Sequence, residues 1–515
     1  MLTIATITIY FAILLLIGFY SSKKIKNSSD FIVAGRGLGF WVFVLLMVGT
    51  TASGMSILGV AGLGYSGGWP TFWEQIFVPL SGSICLILFG VKLSALAQKR
   101  GYMTVEDYFC DRYYSQKSMR ILATFSALIV STIYLTGQYT AITIVLKWLL
   151  GINTVTSLII SALIVMSYTL MGGLYAVAFT SLFLGILIIA GVAWVGPLII
   201  LKVPNFNEIL HSINPSFTSV FYPAGGEPFF TPLFTLSFFF LITFGLATAP
   251  HIINNVLAVK NKKIYKWAPV TVFVIYFVVI ALIKMTGFSV RAMVHTGMLP
   301  QLDTPDSAFI AGVKSVLPGF AWAFIGTVVL AAVMSTTDRL LLTVGNCVSW
   351  DIYKKFINKK ADDRSIRNVN KITMIVATII TVILAINPPK LLAFLIWAGI
   401  GIMFSCFAVP LIGGLYWKRA TKQGAIASMS FGIIASIVLA FIDKFYSPLP
   451  MHFSFFSTII AAVVYIGISL LTPAPDKTLL EETDTGFFIR KNHGHTILEQ
   501  KSRNAGSKIS SGTAA

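Results

Sequence analysis

The stretch LGFWVFVLLMVGTTASGMSILGVAGLGY, residues 38–65, is apolar along its length but is interrupted near its middle by GTTASGMS at 49–56. An apolar run of this length can cross about 30 Å of hydrocarbon as a helix. Clustered Gly, Ser and Thr residues favour a break in that helix. Hydrocarbon tolerates exposed backbone groups only where the broken stretch is buried in protein or lines a cavity. The stretch therefore predicts a membrane helix that is broken at a binding site.

Apolar runs of similar length fill most of the chain on both sides of this stretch. The 515 residues are 56% apolar and only 11% charged, and the mean hydropathy is +0.83. This composition excludes a soluble protein and predicts an all-α polytopic membrane protein that is not an enzyme. We expect thirteen spans, at about 2–20, 38–65, 72–96, 121–149, 155–172, 174–201, 231–258, 267–289, 317–348, 371–388, 391–416, 424–442 and 453–472.

The formal net charge of +19 does not indicate nucleic-acid binding, because Lys and Arg lie in short blocks between the spans rather than on one accessible face. Most of them follow odd-numbered spans or lie in the tail. Basic loops stay in the cytoplasm. The sequence therefore predicts a multi-pass protein of the inner (cytoplasmic) cell membrane with its N-terminus outside and its C-terminus in the cytoplasm.

The chain divides by composition into a transmembrane domain, 1–472, and a polar cytoplasmic tail, 473–515. The tail has no apolar periodicity, so we expect it to be disordered. The predicted partners are membrane lipid, a small solute and a monovalent cation. No feature requires an oligomer.

A second interrupted span supports the interpretation of the first. The run FGLATAPH at 244–251 also combines small residues with a proline inside an apolar span. It lies five spans after the first break, and an odd offset predicts two inverted repeats, at about 38–201 and 231–416. The alternative is that these glycines only allow close helix packing.

The ninth span places the adjacent hydroxyls of Ser335 and Thr336 deep in an apolar helix, within the sequence AAVMSTT at 331–337. Ser335 and Thr336 could simply bond to their own helix. Together with the carbonyl of Ala332 they could instead form a set of neutral oxygen ligands, which suits a small monovalent cation better than a divalent ion.

Several short motifs occur in a characteristic order: Asp30-Phe31 with Ala34-Gly35-Arg36, Ala52-Ser53-Gly54-Met55-Ser56, Tyr168-Thr169 with Gly172-Gly173-Leu174-Tyr175-Ala176-Val177, Pro250-His251, Ala331 to Thr336, and Asp351-Ile352-Tyr353. With these motifs the chain resembles the sodium:solute symporter family over almost all thirteen spans. The resemblance implies a leucine-transporter-type fold with ten core helices in spans two to eleven, and alternating access coupled to Na⁺. It also implies a sodium site formed by the carbonyls of Ala52, Met55 and Ala332 and the hydroxyls of Ser335 and Thr336.

Three positions depart from the family pattern or are unusual. Ser181 stands where many members have an acidic residue, so we expect one sodium rather than two. Gly54 stands where some members have an acidic residue. Arg339, next to Asp338, lies deep in an apolar span, and we expect it to pair with Asp338 or to face a water-filled vestibule.

The candidate substrate contacts lie at the breaks and in facing spans: Ser53, Gly54, Ser56, Gly59, Trp73, Gln75, Gln138, Phe244, Lys284 and Trp397. The aromatic residues could be packing residues instead. Lys284 could neutralise a substrate carboxylate, but our preferred interpretation is that its ammonium group extends to the outer surface.

The chain looks most like the pantothenate and monocarboxylate branch of the family, through Asn387-Pro388-Pro389 and Gly414-Leu415-Tyr416-Trp417. The predicted function is sodium-coupled import of such a carboxylate. The alternatives are a symporter for proline or another amino acid, and a proton-coupled carrier.

Overall fold

The structure is a computed structural model that describes residues 2–223, 230–386, 392–447, 449–476 and 480. Within these residues every regular element is helical, apart from a single β-bridge between Leu38 and Val259. One compact unit comprises Met1–Ala474. The tail that is predicted to be disordered lies largely outside the described ranges. The motif at 387–389 lies wholly outside them.

The described part of the chain forms twenty α-helices in succession. In order they are α1 (Leu2–Ser22), α2 (Ser28–Val33), α3 (Phe40–Thr51), α4 (Val60–Gly67), α5 (Glu74–Ile84), α6 (Val91–Arg100), α7 (Val105–Arg112), α8 (Ser118–Leu150), α9 (Thr154–Lys202), α10 (Phe206–Ile213), α11 (Pro232–Phe240), α12 (Pro250–Val256), α13 (Ala268–His295), α14 (Ala308–Val316), α15 (Gly319–Asn346), α16 (Asp363–Leu384), α17 (Leu392–Met403), α18 (Val409–Tyr416), α19 (Lys422–Phe445) and α20 (Phe453–Leu471).

Several spans contain a stretch of wider π-helix, which often marks functional segments of a helix. These stretches are Met55–Gly59, Cys85–Gly90, Leu241–Gly245, Cys347–Ile357 and Phe404–Ala408. Cys85–Gly90 joins α5 to α6, and Phe404–Ala408 joins α17 to α18, so each pair forms one span. Leu241–Gly245 extends α11, and Cys347–Ile357 extends α15.

The described residues contain ten helices that are long and apolar enough to cross a membrane, and two bent pairs that bring the number to twelve. The 49-residue α9 is counted once in that number. At about 1.5 Å per residue it is longer than two bilayer crossings, and its backbone leaves the helical conformation at Gly173. Counting its two halves separately gives the thirteen spans that the sequence predicts.

The core lies around α15, the helix that carries Ser335 and Thr336. The apolar window of its span is completely buried, whereas those of α1, α19 and α20 are mostly exposed. α15 packs against α1, α3, α8, α9 and α16. The two hydroxyls therefore lie at the centre of the helix bundle, where no lipid can reach them.

Candidate sodium and substrate site

The first broken span forms the centre of the site. α3 ends at Thr51, the backbone of Ala52 is extended, and the π-helical stretch begins at Met55. The two halves of the span are bent by 68°. The carbonyl groups at the end of α3 thus point away from a helical partner and are available to other groups.

Hydroxyls of α15 reach these carbonyls from the facing helix. Ser335 Oγ donates to the Gly49 carbonyl at 2.8 Å and to the Ala332 carbonyl at 3.0 Å. Thr336 Oγ1 donates to the Ala52 carbonyl at 2.7 Å. The alternative from the sequence is that these hydroxyls bond only within their own helix. Thr337 does so, since it donates to the Val333 carbonyl at 2.7 Å.

This group of oxygens fits a small monovalent cation. Hydroxyls and carbonyls are neutral hard ligands, and the hydroxyls of Ser335 and Thr336 are fully buried. Four of the five predicted ligands, those from Ala52, Ala332, Ser335 and Thr336, are linked by these hydrogen bonds. Met55, the fifth, opens the π-helical stretch beside them.

Two further side chains hold the broken segment in place. Tyr276 on α13 donates to the Thr51 carbonyl at 2.8 Å, and its hydroxyl lies 2.6 Å from Ser56 Oγ. Gln138 on α8 accepts from the Gly54 amide at 2.9 Å. Tyr276 is not recognisable from the sequence, because a tyrosine in an apolar helix shows no pattern that separates a structural hydroxyl from a packing ring.

A closed cavity lies next to the break. Its lining consists of Thr51, Ser53, Ser56, Val60, Val78, Tyr134, Ile242, Leu246, Ile280 and Ile400. The free volume is about 10 Å³, enough for about one water molecule, so a substrate can enter only when the surrounding helices move apart. The lining contains hydroxyls and aliphatic side chains and no charged group.

The predicted substrate contacts are distributed over several places. Ser53 and Ser56 line the cavity. Gly54 packs so closely against Ala141 that a Cβ atom would lie 2.2 Å from the Ala141 Cβ. Gly59 closes the π-helical stretch of the same span.

The remaining candidates on other helices do not line this cavity. Trp73 stacks on Phe221 in a cleft at one end of the bundle. Phe244 lines an apolar groove near α20. Trp397 packs against Phe238 with ring centroids 4.7 Å apart, and Gln75 Nε2 lies 3.4 Å from Glu74 Oε2.

The preferred interpretation of Lys284 is wrong. Its side chain has no exposed surface, and its Nζ lies 3.1 Å from Oε2 of Glu74, which is equally buried. A charged ammonium inside the bundle needs a partner, and Glu74 on α5 supplies it. Val78 and Ile280, one turn away on the same two helices, line the cavity, so the pair lies directly next to it.

Asp338 and Arg339 do not form the expected ion pair in the described structure. Tyr168 donates to Asp338 Oδ2 at 3.1 Å, and Arg339 Nε donates to the His251 carbonyl at 3.0 Å. Adjacent residues on a helix point in different directions, which separates the two charges. Ser181 is also buried near the sodium candidates, since a Cβ atom at Gly49 would lie 3.5 Å from its Oγ.

The second broken span, α11 to α12, is bent by 48°. The polar groups at the bend itself are satisfied locally. Thr248 Oγ1 donates to the Phe244 carbonyl at 2.8 Å, and Pro250, in the first turn of α12, has no amide hydrogen to satisfy. Asn255 Nδ2 donates to Thr50 Oγ1 at 3.0 Å and so connects the two broken spans.

Comparison with known proteins gives a consistent result. The model of the sodium:solute symporter family matches residues 31–432. The osmoregulated proline transporter OpuE of Bacillus subtilis (strain 168) is 27% identical over 492 residues, which cover 92% of this chain and 96% of OpuE. The sodium/proline symporter of Staphylococcus aureus (strain JH9) is 26% identical over 499 residues, which cover 92% of this chain and 93% of that protein.

Two solved structures establish the fold. A Na⁺-coupled sialic acid symporter in a substrate-bound outward-open state superposes with a TM-score of 0.79 at 18% identity, covering 92% of this chain and 99% of that one. Mhp1, a nucleobase-cation-symport-1 family transporter in a closed conformation, superposes with a TM-score of 0.52 at 14% identity, covering 88% and 97%. The predicted leucine-transporter-type fold is therefore confirmed.

Proposed function

The chain belongs to the sodium:solute symporter family, and we propose that it imports proline or a closely related small amino acid together with Na⁺. Membership makes it a multi-pass membrane transporter rather than an enzyme, with sodium as the coupling ion and a small solute as the cargo. The substrate, the site residues and the orientation are our proposals.

The observation that carries the choice of substrate is the alignment with two proline transporters over nine-tenths of the chain. These relatives favour the amino-acid alternative over the pantothenate and monocarboxylate branch that the sequence analysis put first.

The cavity chemistry supports the same substrate. Proline is a zwitterion with an aliphatic ring, and the cavity has aliphatic walls, three hydroxyl-bearing residues at the break and no charged lining. A carboxylate without a compensating amine would need a buried cation. Lys284, the candidate for that cation, is already neutralised by Glu74.

We propose the carbonyls of Ala52, Met55 and Ala332 and the hydroxyls of Ser335 and Thr336 as the sodium ligands. Bound sodium would fix the extended segment after Thr51, and the same segment supplies Thr51, Ser53 and Ser56 to the cavity wall. Sodium binding would thus shape the substrate cavity, which is a physical basis for coupling.

The proposed stoichiometry is one sodium per substrate, because Ser181 offers no charge for a second ion. Flux-ratio measurements should give a value of one. A value of two would show that another residue replaces the missing carboxylate.

We propose the orientation from the distribution of Lys and Arg: the N-terminus outside and the C-terminus in the cytoplasm. The side of the bundle that carries α7 then faces the cytoplasm. Protease digestion of the tail in right-side-out and inside-out vesicles tests this orientation, with digestion expected only in inside-out vesicles.

Uptake by the purified protein in proteoliposomes tests the substrate. Labelled proline should accumulate under a sodium gradient and not when choline replaces sodium at constant pH. Unlabelled proline should compete, and pantothenate, lactate and pyruvate should not. Competition by the carboxylates without competition by proline would reverse our choice between the two substrate classes.

A further inference from the structure

A group of buried charges lies at the end of the bundle that carries α7, away from the sodium and substrate site. α7 contributes Glu106 and Asp107, the beginning of α8 contributes Arg120, and the π-helical end of the ninth span contributes Asp351. Their exposed fractions are 0%, 7%, 2% and 0% respectively. Three carboxylates therefore share a nearly water-free space with one guanidinium group.

The ion pairs in this group join separate parts of the chain. Arg120 Nη2 lies 2.9 Å from Asp107 Oδ1, and Arg120 Nη1 pairs with Asp351 Oδ1. Thr104, which precedes α7, donates to Asp351 at 3.1 Å. Trp350 Nε1 donates to Asp107 Oδ2 at 2.9 Å.

A further bond joins α7 to the second broken span, since the Val105 amide donates to Asn254 Oδ1 on α12 at 2.8 Å. α7 and α8 lie in the first predicted repeat, whereas α12 and Asp351 lie in the second. The group of charges thus links the two repeats at one face, and a movement that separates the repeats there must break these bonds.

Glu106 is the exception within this group. Both of its carboxylate oxygens are buried, and neither forms an ion pair or a well-formed hydrogen bond among the described residues, although the Thr104 hydroxyl and the backbone of α7 lie close enough to stabilise the charge weakly. Asp351 Oδ2 likewise has no hydrogen-bond partner there. An ionised carboxylate in such surroundings loses its hydration and is repelled by its neighbours. A protonated Glu106 avoids both costs.

Every element packed around Glu106 contributes to its electrostatic environment. Its own helix carries Asp107, Cys110, Asp111 and Arg112, α8 carries Arg120, α12 carries His251 and the neutral Asn254, and α6 carries Arg100, which is bonded to Asp111. The ninth span carries Cys347, Asp351 and the partly exposed Lys355, whose Nζ lies 3.7 Å from Asp107. Arg36 acts electrostatically on Asp107 from the segment before α3.

We propose that Glu106 is a proton-binding site within a latch, formed with Asp107, Arg120 and Asp351, that holds this face of the transporter closed while the proton is bound. The proposal rests on the proposed function only for the direction in which the face opens, toward the cytoplasm. Asp351 lies fifteen residues after Thr336 on the same continuous span, so the latch holds the helix that carries the proposed sodium ligands.

The direction of the pH effect follows from the geometry. Burial is the main cause that raises the pKa of Glu106 to about 7, and the charge of Asp107 raises it further, whereas the backbone of Glu106, the charge of Arg120 and the Thr104 hydroxyl oppose them. In an opened latch Glu106 meets water and returns to the ordinary value of about 4.3. The closed latch therefore binds the proton more tightly, is fully stabilised below about pH 4.3, and loses that stabilisation as the pH rises to about 7.

The edge of the latch is accessible to solvent. A polar cavity of about 410 Å³ is lined by Asp107, Arg120 and Lys355. It brings solvent to the edge of the latch, so that Glu106 can exchange its proton when the latch loosens.

Two native cysteines report on the latch directly. Cys110 lies one turn after Glu106 on α7, and Cys347 lies one turn before Asp351; both thiols are buried. We would measure maleimide labelling of each cysteine by mass spectrometry on the full-length protein in nanodiscs, between pH 5.5 and 8. Dividing each labelling rate by the rate for the denatured protein at the same pH removes the pH dependence of the reaction between thiol and maleimide.

Normalised labelling of Cys110 and Cys347 should rise about tenfold between pH 6 and 7.5 and then level off. The Glu106→Gln variant, which imitates the protonated acid, should stay at the slow rate at every pH. Glu208→Gln, which changes an exposed glutamate far along the chain, should behave as the unchanged protein. Cys85 and Cys406, buried elsewhere, serve as internal controls.

Flat labelling of both cysteines in the unchanged protein would overturn the proposal, and this result does not depend on whether any variant folds. Retention of the full pH dependence by Glu106→Gln would overturn it as well. The labelling needs no substrate, so it remains decisive even if the proposed substrate is wrong. In proteoliposomes, acidifying only the interior from pH 7.5 to 6 should then slow sodium-driven uptake.

Discussion

The two broken spans differ in what maintains the break. At the first break, between α3 and α4, the exposed polar groups bond to Thr336, Tyr276 and Gln138, each of which lies more than eighty residues away in sequence. At the second, between α11 and α12, Thr248 and Pro250 satisfy or remove the exposed groups locally. The first break depends on the assembled bundle. The bend of the second is encoded largely by its own sequence, and other helices hold only the segment after it, through His251, Asn254 and Asn255.

This difference has a functional meaning. A segment that needs partners from several helices changes its shape when those helices move or when a ligand replaces a partner. A segment that satisfies itself can act as a fixed bend. We therefore expect substitutions of distant partners to affect transport at the first break, and local substitutions at the second to be tolerated.

The largest expected effect concerns the ion pair that supports the first broken span. Gly64 in α4 packs directly against the backbone and side chain of Lys284. Lys284→Gln should lower the free energy of unfolding by about 3–5 kcal/mol, because it leaves the Glu74 charge buried without a partner. Thermal unfolding of the purified protein measures this loss.

The double variant Glu74→Gln with Lys284→Gln is the matched control. Because it removes both charges, it should recover most of the stability. A double variant that is no more stable than the single one would show that the ion pair is not the reason for the loss.

The next effect concerns the sodium ligands. Thr336→Ala and Ser335→Ala should each weaken sodium binding by tenfold or more, if one ligand contributes about 1.4 kcal/mol. The sodium concentration that gives half-maximal thermal stabilisation measures the affinity. Thr337→Ala is the control, since that hydroxyl bonds only within α15; equal effects at 336 and 337 would disprove the assignment.

A smaller effect is expected at the support of the cavity wall. Tyr276→Phe removes the bonds to the Thr51 carbonyl and Ser56, and should weaken substrate binding about fivefold, the equivalent of about 1 kcal/mol. Tyr265→Phe is the counterpart at the second broken span, where the hydroxyl donates to the Val256 carbonyl at 3.0 Å. It should leave the substrate affinity unchanged, and similar losses in both variants would remove the distinction between the breaks.

The smallest effect is expected within the second break. Thr248→Val removes the local bond to Phe244 and should change stability and uptake by less than the equivalent of about 1 kcal/mol. Uptake assays and thermal unfolding of the same preparation test this expectation. A loss of transport comparable with that of Thr336→Ala would mean that the second break is also a ligand site.

Parts of this comparison could be predicted from the sequence. Both breaks are visible as Gly, Ser, Thr and Pro within apolar runs, because backbone conformation is a local property. The hydroxyls of Ser335 and Thr336 can also be recognised, since they directly follow the uninterrupted apolar run 328–334.

The partners could not be predicted in the same way. Glu74 and Lys284 are 210 residues apart, and a single sequence gives no measure of which distant charges meet. The sequence therefore favours the outer surface for Lys284, which lies five residues before the end of its predicted span. Tyr276 and Trp397 look equivalent in sequence, yet one bonds to the break and the other packs among phenylalanines.

The uninterrupted run of α9 has a consequence for how the chain enters the membrane. From residue 154 to 201 it contains no charged residue, and its two halves are joined at Gly173 without a loop. Gly173 has a positive φ of 48°, and a Cβ atom there would lie 2.5 Å from the Phe31 carbonyl oxygen, so no larger residue fits. Because basic loops normally orient spans during synthesis, this pair has no orienting signal of its own. The two halves of α9 should therefore insert together as one helical hairpin, oriented by the basic residues before α8. Proteases and labelling reagents should then find no accessible site between the two halves at any stage of synthesis.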